Sequence, residues 1–454
     1  MKVVDRSRLP EPGPSRPFAF PSIKKSSGPS GLRVWTVNHP SVPIVTLMLL
    51  VPQGAARDPA GKEGLAALTV DMLDEGSGGR SAIQMHEALA AIGAQLDSDI
   101  SSDAAMLSVT VLSRFADPAL HLLADILARP SLTEGDFMRV RQLRLHRLTQ
   151  LRDVPGVIAD RAFARLLFGA HPYGHTPLGN EQALASITVD DVRAFHAAAM
   201  RPAEATLVAV GDCGHDAVQR IAAEAFAGWD GAAERSAVDA AALPKPAQLN
   251  VVPRPGAPQS ELRIGHVAVA RDTPDYHALV AANMVLGGQF VSRINLNLRE
   301  HKGITYGART AFDFRRLPGP FALQVSVQTG ATALAIEESI GEIAAIRGPR
   351  GVTPEELSLG VAGVTRGFAR NFETAEQIAR AVTQIALYGL NDDYFAEFVP
   401  RLERVTTGEA TEVARRHLDP SRLTTLVVGD FDRIARDLAQ LNLGEPVVLS
   451  SETF

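Results

Sequence analysis

The 454-residue sequence carries the same pattern twice. Residues 187–212, ITVDDVRAFHAAAMRPAEATLVAVGD, align without gaps on residues 405–430, VTTGEATEVARRHLDPSRLTTLVVGD. Both read as a helix, a proline, an apolar strand and then Gly-Asp. Upstream, ARDPAGKEGLAALTVDML from Ala56 pairs with ARDTPDYHALVAANMVLG from Ala270, in each case a strand exit followed by a buried helix. Two matches in the same order at nearly the same offset mark a duplicated domain. The expected fold class is α+β, with two similar domains, each an antiparallel sheet with helices packed on it. The sequence is also too long for one hydrophobic core.

Composition sets the boundaries. Residues 1–31, rich in proline, serine and lysine, read as an extended N-terminal arm, 32–229 as the first domain, 230–258 as an alanine-, proline- and charge-rich linker, and 259–454 as the second domain. Strands are expected at Leu32–Asn38, Val42–Val51, Gln95–Asp99, Ala105–Leu112 and Ala205–Val210. Helices are expected over Gly61–Leu73, Ser81–Ile92, Pro118–Ala128, Glu134–Leu151, Val157–Phe168 and Val189–Met200.

Acidic and basic residues are interspersed at a net charge of −6, which excludes a nucleic-acid surface and a polybasic membrane patch. The single cysteine, Cys213, rules out an intramolecular disulfide and a cysteine-based zinc site. The first residues carry no apolar run and no window reaches a membrane-spanning length, so the expected location is the cytoplasm, or the periplasm if the N-terminus is a processed one.

No G-x-x-x-x-G-K-[ST], G-x-G-x-x-G or G-x-S-x-G motif occurs, which removes the simplest phosphate, dinucleotide and hydrolase readings. His171 and His175 in HPYGH have the spacing of zinc ligands on a helix, but Pro172 and Gly174 make the segment a loop. His86-Glu87, His121 and His146 stand without partners in the sequence. The stretch Leu286–Tyr306, LGGQFVSRINLNLREHKGITY, is more informative. Gly287 and Gly288 suit a sharp turn before a helix, the helix runs to a break at Gly303, and Arg299 and Tyr306 are placed to converge from the two sides of that break. A guanidinium and a phenol hydroxyl are suitable donors to a carbonyl or carboxylate oxygen.

The duplication, the early buried helix ending in an acidic residue and glycine, the loop HPYGHTPLG and the segment LGGQFVSRINLNLREHKGITYGA together resemble the M16 family of zinc metallopeptidases. These are the inverted zincins, which include the mitochondrial processing peptidase. The resemblance covers about Leu32 to Asp430. Active members carry H-x-x-E-H on the first buried helix, two histidines for zinc and a glutamate as general base, with a distant glutamate as third ligand. Here Ala67, Val70 and Asp71 occupy those three positions, and the distal one falls at His146, Arg147 and Leu148. The resemblance therefore implies no cofactor in this polypeptide. Leu298, Arg299, Gly303 and Tyr306 match the segment L-R-x-x-x-G-x-x-Y, whose arginine and tyrosine hold the substrate carbonyl in that family. The implied protein is inactive alone: the non-zinc subunit of a heterodimeric peptidase, with Zn in the partner, peptides or unfolded polypeptide as substrate, and no nucleic-acid or membrane partner. An inert scaffold subunit, like the respiratory-chain core proteins of that family, is the alternative.

Overall fold

The computed structural model describes residues 18–232 and 246–450, together with Ser7. Its first half comprises β1 (Lys24–Ser27), β2 (Arg33–Asn38), β3 (Ile44–Val51), the small ladder of β4 (Gly76–Ser77) and β5 (Arg80–Ser81), β6 (Leu96–Ile100), β7 (Ala105–Leu112) and β8 (Thr206–Gly211). Its helices are α1 (Leu65–Asp71), α2 (Ala82–Ala91), α3 (Ala116–Ala128), α4 (Glu134–Leu151), α5 (Pro155–Phe168), α6 (Glu181–Ser186), α7 (Val189–Ala199) and α8 (His215–Ala225).

The second half carries β9 (Gln248–Pro253), β10 (Gln259–Val267), β11 (Ala308–Phe312), β12 (Pro320–Gln328), β13 (Thr424–Gly429) and β14 (Val447–Val448). Its helices are α9 (Tyr276–Asn283), α10 (Arg293–Asn295), α11 (Thr332–Ile346), α12 (Pro354–Thr365), α13 (Ala375–Tyr388), α14 (Tyr394–Glu403), α15 (Thr407–His417) and α16 (Phe431–Ala439). Among the described residues no helix is long and apolar enough to cross a membrane.

The duplication is visible in the sheet orders, β1-β2-β8-β3-β7-β6 and β11-β12-β10-β13-β9-β14. Five strands correspond: β2 with β9, β3 with β10, β6 with β11, β7 with β12 and β8 with β13. Both sheets are antiparallel except where the first of the five corresponding strands pairs parallel with the last, β2 with β8 and β9 with β13, and where β14 joins β9. The repeated segments begin in the same device. Thr188 with Asp191 and Thr406 with Glu409 form capping boxes that start α7 and α15, each side chain satisfying the other residue's backbone N–H.

Two boundaries differ from the sequence reading. The expected linker 230–258 contains β9, which pairs with β13; residues 233–245 lie outside the described set. QLNVVP is a short apolar run inside alanine- and proline-rich surroundings, and its partner strand lies far along the sequence. The arm 1–31 is described from residue 18, and its last part is structured. β1 pairs with β2, Phe18 stacks on Phe372 at 4.9 Å, and Phe20 lies 5.2 Å from Phe395. The arm thus crosses from the first sheet to an aromatic cluster of the protein's own second half.

The halves also exchange helices. One face of the first sheet packs on α1, α3, α7 and α8 of its own half. Its other face, with Trp35, Met48, Leu50, Val208 and Val210, is covered by Ile378, Val382 and Ile385 of α13. Reciprocally, Ile158, Ala162 and Leu167 of α5 lie on Val252, Val267, Leu426 and Val428 of the second sheet. Burying Ile378, Val382 and Ile385 contributes about 2 kcal/mol each. A sequence division at residue 229 therefore cuts across two packed faces. The structure consists of two similar sheet-and-helix units built as one interlocked body.

Candidate functional site

The stretch Leu286–Tyr306 departs from a plain helix. Met284–Gly288 is a π-turn, Ser292 leads into the single turn α10, and Leu296–His301 is again π-helical. It ends with Ile304 N donating to Leu298 O at 3.0 Å and with Gly303 at φ 63°, so the break at Gly303 is as expected. Gly287 and Gly288 act differently from the expectation, because neither has a positive φ. They are needed for close packing: a Cβ on Gly287 would sit 2.6 Å from Thr310 Oγ1, and one on Gly288 2.7 Å from Asn283 Nδ2. Widened π-turns are frequent at functional sites because they redirect side chains.

The polar residues inside this stretch are structural. Arg293, 7% exposed, donates to both oxygens of Glu356 and to the carbonyls of Arg350 and Gly351. Asn295 clamps the backbone on either side of the site: its Nδ2 donates to Gln289 O at 3.1 Å and Ala308 O at 2.8 Å, while its Oδ1 accepts from Ala308 N at 2.9 Å. Asn297 donates to Glu338 and Glu342. Together these hold the segment that carries Arg299 and Tyr306.

Arg299 and Tyr306 line one recess of about 470 Å³, with Phe290, Arg309, Glu261 and Gln324 among its walls. Arg299 is largely buried, its guanidinium 3.3 Å from the Phe290 ring centroid and 2.6 Å from Glu300, while its Nη1 has no hydrogen-bond partner. Tyr306 is 94% exposed, so its hydroxyl is offered to whatever enters. The two side chains share this recess without bonding to each other. Sequence reasoning missed Phe290, Asn295 and Arg309.

At the family's metal position, Ala67 and Val70 are buried in α1, and the carboxylate of Asp71 is ion-paired with Arg144. Arg144 also donates to Pro177 O at 2.7 Å. Desolvation pushes the Asp71 carboxyl above its ordinary value, against the pull of the Arg144 and Arg147 guanidiniums. The helix is aimed from its N-terminal side by Asp58, whose oxygens accept from Gly64 N and Ala66 N, both at 2.7 Å. His175 Nε2 reaches Asp58 at 3.1 Å and Ala55 O at 3.0 Å; both are acceptors, so that nitrogen carries the proton. His175 is thus an anchor of the HPYGH loop. His171 accepts from Tyr173 N at 3.1 Å, in keeping with a loop role. Beside α1, β6 is an edge strand, bonded among the described residues only to β7, with Asp97, Ser98 and Asp99 exposed.

A larger recess of about 930 Å³ lies between α2 and the start of α4. Among its charged groups Arg80 pairs with Asp125 and Arg139 with Glu75.

Residues 33–166 match the profile described as insulinase, peptidase family M16, and residues 186–363 match the one described as peptidase M16 inactive domain. The protein belongs to the M16 peptidase family. An uncharacterized zinc protease of Mycobacterium bovis is 24% identical over 429 residues, which are 93% of this protein and 96% of that one. An uncharacterized zinc protease of Bacillus subtilis is 24% identical across 74% of this protein and 81% of its own length. A Schizosaccharomyces pombe protein named for the beta subunit of the mitochondrial-processing peptidase is 21% identical over 59% of this protein and 60% of its own length. Among solved structures, a peptidase M16 inactive domain from Pseudomonas fluorescens superposes with TM-score 0.84 at 24% identity, covering 90% of this protein and 97% of that one. A protease from Helicobacter pylori gives 0.83 at 18% identity, covering 90% and 99%.

An M16 zinc site requires lone pairs that this helix does not supply. Ala67 and Val70 have none, and Asp71 is held by a guanidinium. These residues do not fit the ion. Among the described residues no group of three or more His, Cys, Asp and Glu side chains is placed to hold a metal.

Proposed function

We infer that this M16 protein is the non-zinc subunit of a two-subunit peptidase, contributing substrate binding while the metal chemistry belongs to a zinc-bearing M16 partner with H-x-x-E-H. The observation that carries the reading is the contrast between two places in one fold. Asp71 is neutralised by Arg144 where a metal helix is expected, and Arg299 and Tyr306 present unspent donors in a shared recess. Donors aimed at a scissile carbonyl gain strength as negative charge develops on its oxygen, which is how Arg299 and Tyr306 assist hydrolysis across the interface. The open edge of β6 supports a peptide or unfolded segment as substrate, because an extended peptide adds to such an edge through backbone hydrogen bonds. The relative named for a peptidase beta subunit is consistent with work in pairs.

The test is hydrolysis of a fluorogenic peptide by the zinc-bearing partner alone, with this protein, and with its Arg299→Ala or Tyr306→Phe variant. Expected is stimulation by the native protein, reduced about 100-fold by Arg299→Ala and about tenfold by Tyr306→Phe. Equal rates in all four reactions would instead identify an inert scaffold subunit.

A further inference from the structure

The face of the second sheet that receives α5 is only partly covered. α5 lies over Val252, Leu426 and Val428 on β9 and β13, whereas residues of β11 and β12 line the open recess. Strand register sets Arg309 opposite Gln324 and Gln324 opposite Arg263, a polar row across β11, β12 and β10. Arg263 is occupied, donating to Asp160 at 2.8 Å and to Glu261 at 3.2 Å. Glu261 is the only carboxylate among the lining side chains, and Arg263 takes it. Arg309 is exposed, and its side chain makes no hydrogen bond or ion pair among the described residues. Arg299 keeps Nη1 unpartnered below the surface, a state that costs free energy until an acceptor arrives. The recess therefore presents the unpaired guanidinium of Arg309 and one spare donor on Arg299, whose charge Glu300 already offsets, with no free carboxylate among the lining side chains.

We propose that this recess is a carboxylate-recognition subsite, in which Arg309 takes a carboxylate of the bound polypeptide next to Tyr306, while Arg299 keeps its spare donor for the scissile carbonyl. The peptide nature of the ligand rests on the proposed function; the charge it must carry follows from the recess itself. The carboxylate comes from an acidic side chain or from the C-terminus of the polypeptide, and a guanidinium fork matches either. No bond is made or broken in this step.

Fluorescence anisotropy of the full-length protein with three labelled nonapeptides tests it: one amidated with a central Glu, one lacking acidic residues but with a free C-terminus, and one amidated with Gln in place of Glu. Expected is about tenfold tighter binding of one carboxylate peptide over the neutral one, weakened by added salt. Which peptide gains identifies the carboxylate's source. Arg309→Gln, an exposed change that the fold tolerates, removes the advantage and leaves the neutral peptide unaffected. Equal binding of all three peptides, or an advantage that survives Arg309→Gln, overturns the subsite while leaving the subunit reading intact. An Arg309-dependent preference in a protein that never stimulates hydrolysis leaves the subsite standing and removes that reading.

Discussion

Asp58→Ala is expected to lower the unfolding free energy by about 4 kcal/mol, a loss readable as a fall in the urea midpoint. The Asp58 side chain is 0% exposed, and its two oxygens serve three donors, Gly64 N, Ala66 N and His175 Nε2. Alanine leaves the first turn of α1 without an acceptor and the HPYGH loop without its anchor. Enclosure of the site keeps bulk water from taking over those bonds. Asp58→Asn keeps one acceptor oxygen but turns an amide donor toward another donor, so a loss of about 2 kcal/mol is expected. An unchanged midpoint in the alanine variant would show that α1 is positioned by its apolar packing alone.

Asp103→Ala is expected to cost about 3 kcal/mol and to loosen the contact between the halves. Asp103 is 9% exposed and accepts from the Tyr173 hydroxyl of the first half and from Arg316 N of the second at 2.8 Å. The Tyr173 oxygen in turn accepts from Leu317 N at 3.2 Å. Burial, then the neighbouring Asp103 charge, pushes the Tyr173 hydroxyl well above the ordinary tyrosine range, so it stays a donor at any physiological pH. Removing the carboxylate leaves the buried Tyr173 O–H and the part-buried Arg316 N–H without their acceptor. Amide hydrogen exchange at Arg316 and Leu317 should accelerate with the loss. Protection equal to that of the native protein would mean that α5 and α13 hold the halves together without this link.

Much of the fold was legible because it rests on local chemistry. The capping boxes at Thr188 and Thr406 and the strand before each Gly-Asp are written in neighbouring residues, which is why the repeat could be read and why it corresponds to matching elements. The exchange of α5 and α13 was not legible. Periodicity shows that a helix has an apolar face, but not which sheet covers it. β9 was hidden for the same reason, since its pairing depends on β13. At the site, the motif pointed to Arg299 and Tyr306 and to the altered positions Ala67, Val70 and Asp71. What surrounds them came from contacts distant in sequence: Phe290 under Arg299, Arg309 across the recess, and Asp58 held by His175 from 117 positions away.

A protein that serves as the proposed non-zinc half of a peptidase holds no zinc at its own metal position. Zinc content measured on the purified protein alone, after equilibration with zinc and removal of loosely bound ion, tests it most directly. No stoichiometric zinc is expected in the isolated protein, and one zinc per complex once an H-x-x-E-H partner is bound. One tightly held zinc per isolated subunit would contradict it.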